Sequence, residues 1–211
     1  MKKNVRTLLT GGVVCLLVFG TIASYRYFTG GLDRLPDKVC SGAVDREIVT
    51  KALPSARDAQ EGSRVKPPGG RFLFTCHVYT SGDSIMSGEA ETTDVAHDTW
   101  ASYYEGQADG NPVRTRKGPV HVLSVSENRA SLYVPCTRAG KNPDATADSH
   151  GLIAESRTIG KTRATGEELR QAITDFAYFI MQRAFKLNKC REVEALPKDL
   201  SDAYSAAGTG G

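Results

Sequence analysis

Residues 74–88 read FTCHVYTSGDSIMSG, and the fold turns on what the chain does in the middle of this stretch. Phe74 to Thr80 alternates apolar and polar side chains and is rich in β-branched and aromatic residues, the composition of a half-buried strand. If Ser81-Gly82-Asp83 makes a tight turn, the chain returns beside itself and the sheet is antiparallel. If the chain instead runs into a helix, the strand belongs to a parallel α/β sheet. Glycine and aspartate tolerate the dihedrals of tight turns, and the downstream sequence offers too few helices for repeated crossovers. The turn reading therefore wins.

Outward from that hairpin, GPVHVLSV (118–125) and RASLYVPC (129–136) read as strands joined by Ser126-Glu127-Asn128, and GLIAESRTIG (151–160) as a further strand. In TGEELRQAITDFAYFIMQRAFKLNKC (165–190), Leu169, Ile173, Phe176, Ala177, Ile180, Ala184 and Leu187 recur at three- and four-residue steps, predicting a helix with one core-facing stripe. Thr165 and Glu168 have capping-box spacing, and Asn188 suits the C-terminal cap. CSGAVDREIVTKALP (40–54) predicts a first helix capped by Ser41 and stopped by Pro54. DAQEGSRVKPPGG (58–70) reads as a loop, and DVAHDTWASYYEG (94–106) equally as a short helix or a loop. The expected fold is α+β: an antiparallel sheet of about five strands with two helices packed on one face, preceded by one transmembrane helix.

That transmembrane helix is expected at 7–25, a run of 19 uncharged residues behind Lys2, Lys3 and Arg6. As a helix it spans about 28 Å, close to the hydrocarbon thickness of a bilayer. The flanking positive charges keep residues 1–6 in the cytoplasm. A cleaved signal peptide, with Thr21-Ile22-Ala23 near the cut, is the competing reading. The length of the run and the interfacial aromatics Tyr25, Tyr27 and Phe28 favour an uncleaved signal anchor in the cell membrane. Cys15, preceded by Val13 and Val14, does not fit a lipidation site. Residues 26–36 then form a linker, 37–195 an extracytoplasmic domain and 196–211 a disordered tail. The chain has 27 Lys+Arg against 24 Asp+Glu, and the basic excess precedes the anchor, so the exported part is formally neutral. It offers no electrostatic case for nucleic acid.

Four cysteines lie beyond the run: Cys40, Cys76, Cys136 and Cys190. An exported chain favours disulfides, and four cysteines allow three pairings. Cys40 opens a helix and Cys76 lies in the next strand; Cys136 ends a strand and Cys190 ends the next helix. This symmetry favours Cys40 with Cys76 and Cys136 with Cys190, the other pairings remaining open. No cysteine spacing suits zinc, and His77 beside Cys76 points to the opposite face of a strand. No metal or other cofactor is expected. VCSGAVDREIVTKALP, FTCHVY, the strand ending VPC and the helix closing in NKC together resemble exported, single-span or lipid-anchored proteins of actinobacteria. The resemblance implies a cell-envelope location and transfers no catalytic residue.

The opening stretch also resembles the first block of GDS-type (SGNH) hydrolases through Gly82, Asp83, Ser84, Ile85 and Gly88. That resemblance implies a nucleophilic Ser84, which needs a histidine base and an oxyanion hole. Asp148-Ser149-His150 has one residue too few for the family's Asp-x-x-His block, and its Gly-x-Asn-Asp block is missing. Glu89 and Glu91 share a strand face as a solvated pair, and Arg114 to Gly118 reads as a basic loop able to touch anionic polymer or headgroups. Trp100, Tyr103 and Tyr104 form a recognition patch if exposed and cover a sheet edge if buried. The expected function is non-catalytic binding or modulation at the cell envelope, with no catalytic residues. Its partners would be the lipid bilayer through the N-terminal helix and an envelope protein or ligand. The alternative is a GDS-type serine esterase using Ser84.

Overall fold

The computed structural model describes residues 30–66, 71–138, 151–191 and 195–200, with positions 18, 20, 21, 24 and 27 before them. The opening stretch is a hairpin: β2 (Leu73–Thr80) and β3 (Ile85–Thr93) pair antiparallel from Leu73 opposite Glu91 to Tyr79 opposite Ile85. Seven strands make the sheet. The others are β1 (Ala59–Lys66), β4 (Val113–Lys117), β5 (Val120–Ser126), β6 (Arg129–Pro135) and β7 (Gly151–Ile159). Their spatial order is β1-β2-β3-β7-β6-β5-β4, every pair antiparallel. The last of these seven strands in sequence thus occupies the centre and joins two meanders.

Seven strands replace the expected five, and the two that were missed are the two edges. β1 carries Gln60, Glu61, Arg64 and Lys66, and β4 is VRTRK. Charged, glycine-interrupted edges resist pairing with other chains, and the same composition reads as loop.

Alternate side chains of the inner strands meet the helix α3 (Gly166–Leu187) on one face. Phe74, Val78, Met86, Ala90, Leu132, Leu152 and Ala154 are buried against Ile173, Phe176, Ala177 and Ile180. Thr165 is the N-cap residue of α3, but no side-chain cap bond forms. Gly166 N–H instead donates to the Glu127 carboxylate. The short helix α1 (Arg46–Ala52) buries Ile48, Val49 and Ala52 on the same side. It begins later than expected, because Cys40 and Ser41 take left-handed conformations, each with φ 57°, and the Ser41 hydroxyl meets Ser63 Oγ at 2.7 Å instead of capping a helix.

The third helix, α2 (His97–Glu105), forms from the ambiguous stretch and lies on the other face, burying Trp100 and Tyr104 with Leu123, Val125 and Tyr133. Helices on both faces correct the expected one-sided packing. Among the described residues no helix is long and apolar enough to cross a membrane, and the run 7–25 lies almost wholly outside them. The linker assigned to 26–36 partly belongs to the domain, since Leu32 and Leu35 are buried. So does the start of the assigned tail. Leu200 is fully buried, and the Pro197 carbonyl accepts hydrogen bonds from Tyr178 Oη and Gln182 Nε2.

Both favoured disulfides are present. Cys40–Cys76 and Cys136–Cys190 have Cα separations of 5.4 and 5.0 Å. The first pins the segment before α1 to the middle of β2, and the second ties the end of β6 to the end of α3. Closing loops of this size removes roughly 3–4 kcal/mol of chain entropy each from the unfolded state.

The hairpin also sets how closely α3 sits. A Cβ on Gly88 would lie 2.6 Å from Ile180 Cδ1 and 3.2 Å from Phe176 Cε1. Gly88→Ala should therefore destabilise the fold by about 1–3 kcal/mol. Urea unfolding checks this, and an unchanged midpoint would contradict the packing described.

Candidate functional site

The second face of the sheet carries the chemistry. Odd-numbered side chains of β2, β3, β6 and β7 point there, and α2 covers only the part over β5 and β6. Trp100 Nε1 donates to Ser131 Oγ at 2.9 Å, satisfying an indole that is only 2% exposed. Tyr104 Oη donates to Glu155 Oε2 at 2.9 Å. Arg129 grips the same carboxylate twice, Nε to Oε1 at 2.9 Å and Nη2 to Oε2 at 3.1 Å, and its Nη1 donates to Gln107 Oε1 at 2.8 Å. Its guanidinium carbon sits 5.5 Å from the Tyr104 ring centroid. Charge-assisted, two-point bonds of this kind are about twice as strong as neutral ones. They lock α2 to β6 and β7. Burial, reinforced by the Glu155 charge, holds the Tyr104 hydroxyl well above the usual tyrosine range.

Beside this clamp the face stays open. Arg157 lies directly across from Arg129 on one side and from Ser87 on the other. Like charges placed opposite each other repel. Glu155 neutralises Arg129, whereas Arg157 is exposed and has no hydrogen-bond or ion-pair partner among the described residues. A groove of about 420 Å³ runs past Arg129, Arg157, Asn128, Ser126 and Gln107. A smaller hollow of about 190 Å³ adjoins it at Ser87, Glu89, Glu155 and Arg157. Glu91, one step further along, has its pKa raised mainly by burial, with Arg71 opposing and Glu89 and Glu155 adding to the rise. The open half of the face therefore offers the unneutralised guanidinium of Arg157 beside the groove, a second at Arg64 on the β1 edge, hydroxyl and amide groups, and a strip of carboxylates.

The residues singled out from sequence separate. Trp100 and Tyr104 are buried under α2, while Tyr103 is 62% exposed, so the three do not form one patch. Ser84 is fully buried and closes the hairpin: Thr80 N–H and the Thr80 hydroxyl donate to its carbonyl, and its own N–H donates to Thr80 Oγ1. Asp83 takes the left-handed conformation of the turn, φ 57°. Among the described residues no histidine hydrogen-bonds Ser84, and Asp148 to His150 lie outside those residues. His77 faces away from Cys76, as alternation requires, and lies across Gly62 with its ring 4.8 Å from that of Tyr79. Arg114 to Lys117 belong to the edge strand β4, where Arg114 pairs with Glu105 at 2.6 Å. Among the described residues no group of three His, Cys, Asp or Glu is placed to hold a metal. Sequence reasoning passed over Arg129, Glu155 and Arg157. Their juxtaposition depends on strand register across a sequence separation of 26, which no local pattern reveals.

The chain matches no family model, no curated protein and no solved structure.

At the start of α2, the His97 ring lies 4.0 Å from that of His121. Burial, with His97 and Arg116 nearby, pushes the His121 pKa down from 6.5 to about 4, Asp98 opposing. The fold thus favours neutral His121. Its contribution is fully present above about pH 6.5 and declines as pH falls towards 4, because the unfolded chain takes up the proton first. Asp175, pushed up to about 6 mainly by burial, works the other way and gains as pH falls. His121→Gln should therefore remove part of the stability loss between pH 6.5 and 4, read as the wild-type-minus-variant difference in urea unfolding. A difference that does not change with pH would contradict this.

Proposed function

We propose that the chain presents an exported, disulfide-braced domain, held at the cell membrane by the run 7–25, whose role is to bind or modulate a partner at the envelope without making or breaking a bond. One observation carries the reading. The outer face of the sheet is covered only halfway, and its open half keeps Arg157 unneutralised beside a groove while its neighbour Arg129 is saturated by Glu155 and Gln107. A surface built only for solubility gains nothing from setting two arginines opposite each other on neighbouring strands. An acidic group of a partner relieves that repulsion and meets a guanidinium ready to bind it at two points. The two disulfides fit an oxidising compartment outside the cytoplasm. Nothing at Ser84 favours the esterase reading, since a nucleophile has to be reached by its substrate and Ser84 is fully buried.

The test is site-specific photo-crosslinking in the native envelope. A crosslinking amino acid at Ser87, on the open face, should give a discrete adduct. The same amino acid at Glu47, exposed on α1, should give none, and Arg157→Glu should abolish the Ser87 adduct. Equal adducts from both positions, or none from Ser87, would contradict the reading. A serine-directed phosphonate that labels Ser84 would restore the esterase.

A further inference from the structure

We propose that the end of the sheet from which the N-terminal segment leaves seats on a bilayer surface, with Tyr79 and Ile159 at the interface and Arg57 and Lys161 among anionic headgroups. This rests on the reading above, that the run 7–25 stays in the membrane.

The tether is short. The run ends at residue 25, and by residue 27 the chain already touches the domain. Arg34 Nη2 donates to the Tyr27 carbonyl at 3.3 Å, and the guanidinium carbon lies 5.6 Å from the Tyr27 ring centroid. Two peptide units reach at most about 7 Å. Arg34 also donates to the Arg57 carbonyl at 3.1 Å, and Gly31 N–H donates to the Ala56 carbonyl at 2.8 Å. The approach there is too close for any side chain: a Cβ on Gly31 would lie 2.6 Å from the Asp58 nitrogen. Asp58 in turn bonds the hairpin turn, accepting from Ser81 N–H at 2.9 Å and donating its own N–H to Ser81 Oγ at 3.1 Å. The point of entry, the start of β1 and the β2–β3 turn are therefore one corner, and the tether holds that corner against the membrane.

That corner carries the side chains an interface favours. Tyr79, Ile85 and Ile159 stand in register across β2, β3 and β7, and Tyr79 and Ile159 are 45% and 47% exposed. Arg57 and Lys161 are exposed nearby and have no side-chain partner among the described residues. Amphipathic rings and basic side chains favour headgroup depth. Asp33, Asp58 and Asp83 share this end, so the apolar row and the tether contribute more than net charge. A bilayer suits these features better than a protein partner does, because the tether brings it within reach of this corner before any other surface.

The full chain in nanodiscs of phosphatidylcholine with one-third phosphatidylglycerol tests this by hydrogen exchange. Ser81 to Asp83 and the amides of Gly160 and Lys161 should exchange several-fold more slowly than in a Tyr79→Glu/Ile159→Glu variant. The β4–β5 turn at the opposite end should not differ, and unchanged protection in α3 would show that the variant folds. Equal rates in wild type and variant overturn the seating. Slowing that grows with protein concentration assigns the surface to a second copy and overturns it as well. A chain that leaves the disc in a salt wash overturns the tether reading first, and the seating with it.

Discussion

The structure depends on where β7 goes. Gly151–Ile159 is the last of the seven sheet strands in sequence, yet it pairs along its whole length with β3 on one side and β6 on the other. Without it the molecule is two separate three-stranded meanders, each with one apolar face and too little helix to cover it. With it, the apolar faces of both meanders join into one surface long enough for α3 to bury. One buried polar group on that surface is satisfied, since Ser156 Oγ donates to the Ile173 carbonyl at 2.6 Å. Each disulfide ties one meander to the helical side, Cys40–Cys76 at β2 and Cys136–Cys190 at β6. The staples lie on either side of the strand that joins the halves.

The same strand organises the second face. Glu155, near its middle, is reached from β6 by Arg129 and from α2 by Tyr104, so one carboxylate fixes a helix to the sheet. α2 is short, and it shields only the β5–β6 side. The remainder of the face, from Arg157 to the β1 edge, is left to solvent and carries the charged residues on which the proposed binding role rests. Stability and the proposed binding role are thus divided by face. One side is an apolar core under α3, and the other is a polar surface half closed by a clamp.

Much of the first side was legible in the sequence. The interior strands alternate cleanly, the stripe on α3 repeats at helical spacing, and the order of the cysteines favoured the pairing observed. The rest was hidden for physical reasons. β1 and β4 are edges, whose polar composition protects them and also erases the alternation that marks a strand. α2 places only Trp100 and Tyr104 on its buried side, too few to show a period. The Arg129–Glu155 clamp and the Arg157 beside it exist only once register is set, and register is a property of the assembled sheet. The tempting Ser84 shows the reverse failure. A short local motif suggested chemistry, and the turn that contains it buries the hydroxyl.

The proposed role requires that the disulfide-braced domain be exported and kept at the membrane. The most direct measurement is the intact mass of the protein from the membrane fraction, with free thiols blocked and no reduction. The account predicts a full-length chain with two disulfides and one blocked thiol, on Cys15. A chain that begins after the apolar run, or a blocked thiol at Cys40, Cys76, Cys136 or Cys190, would contradict it.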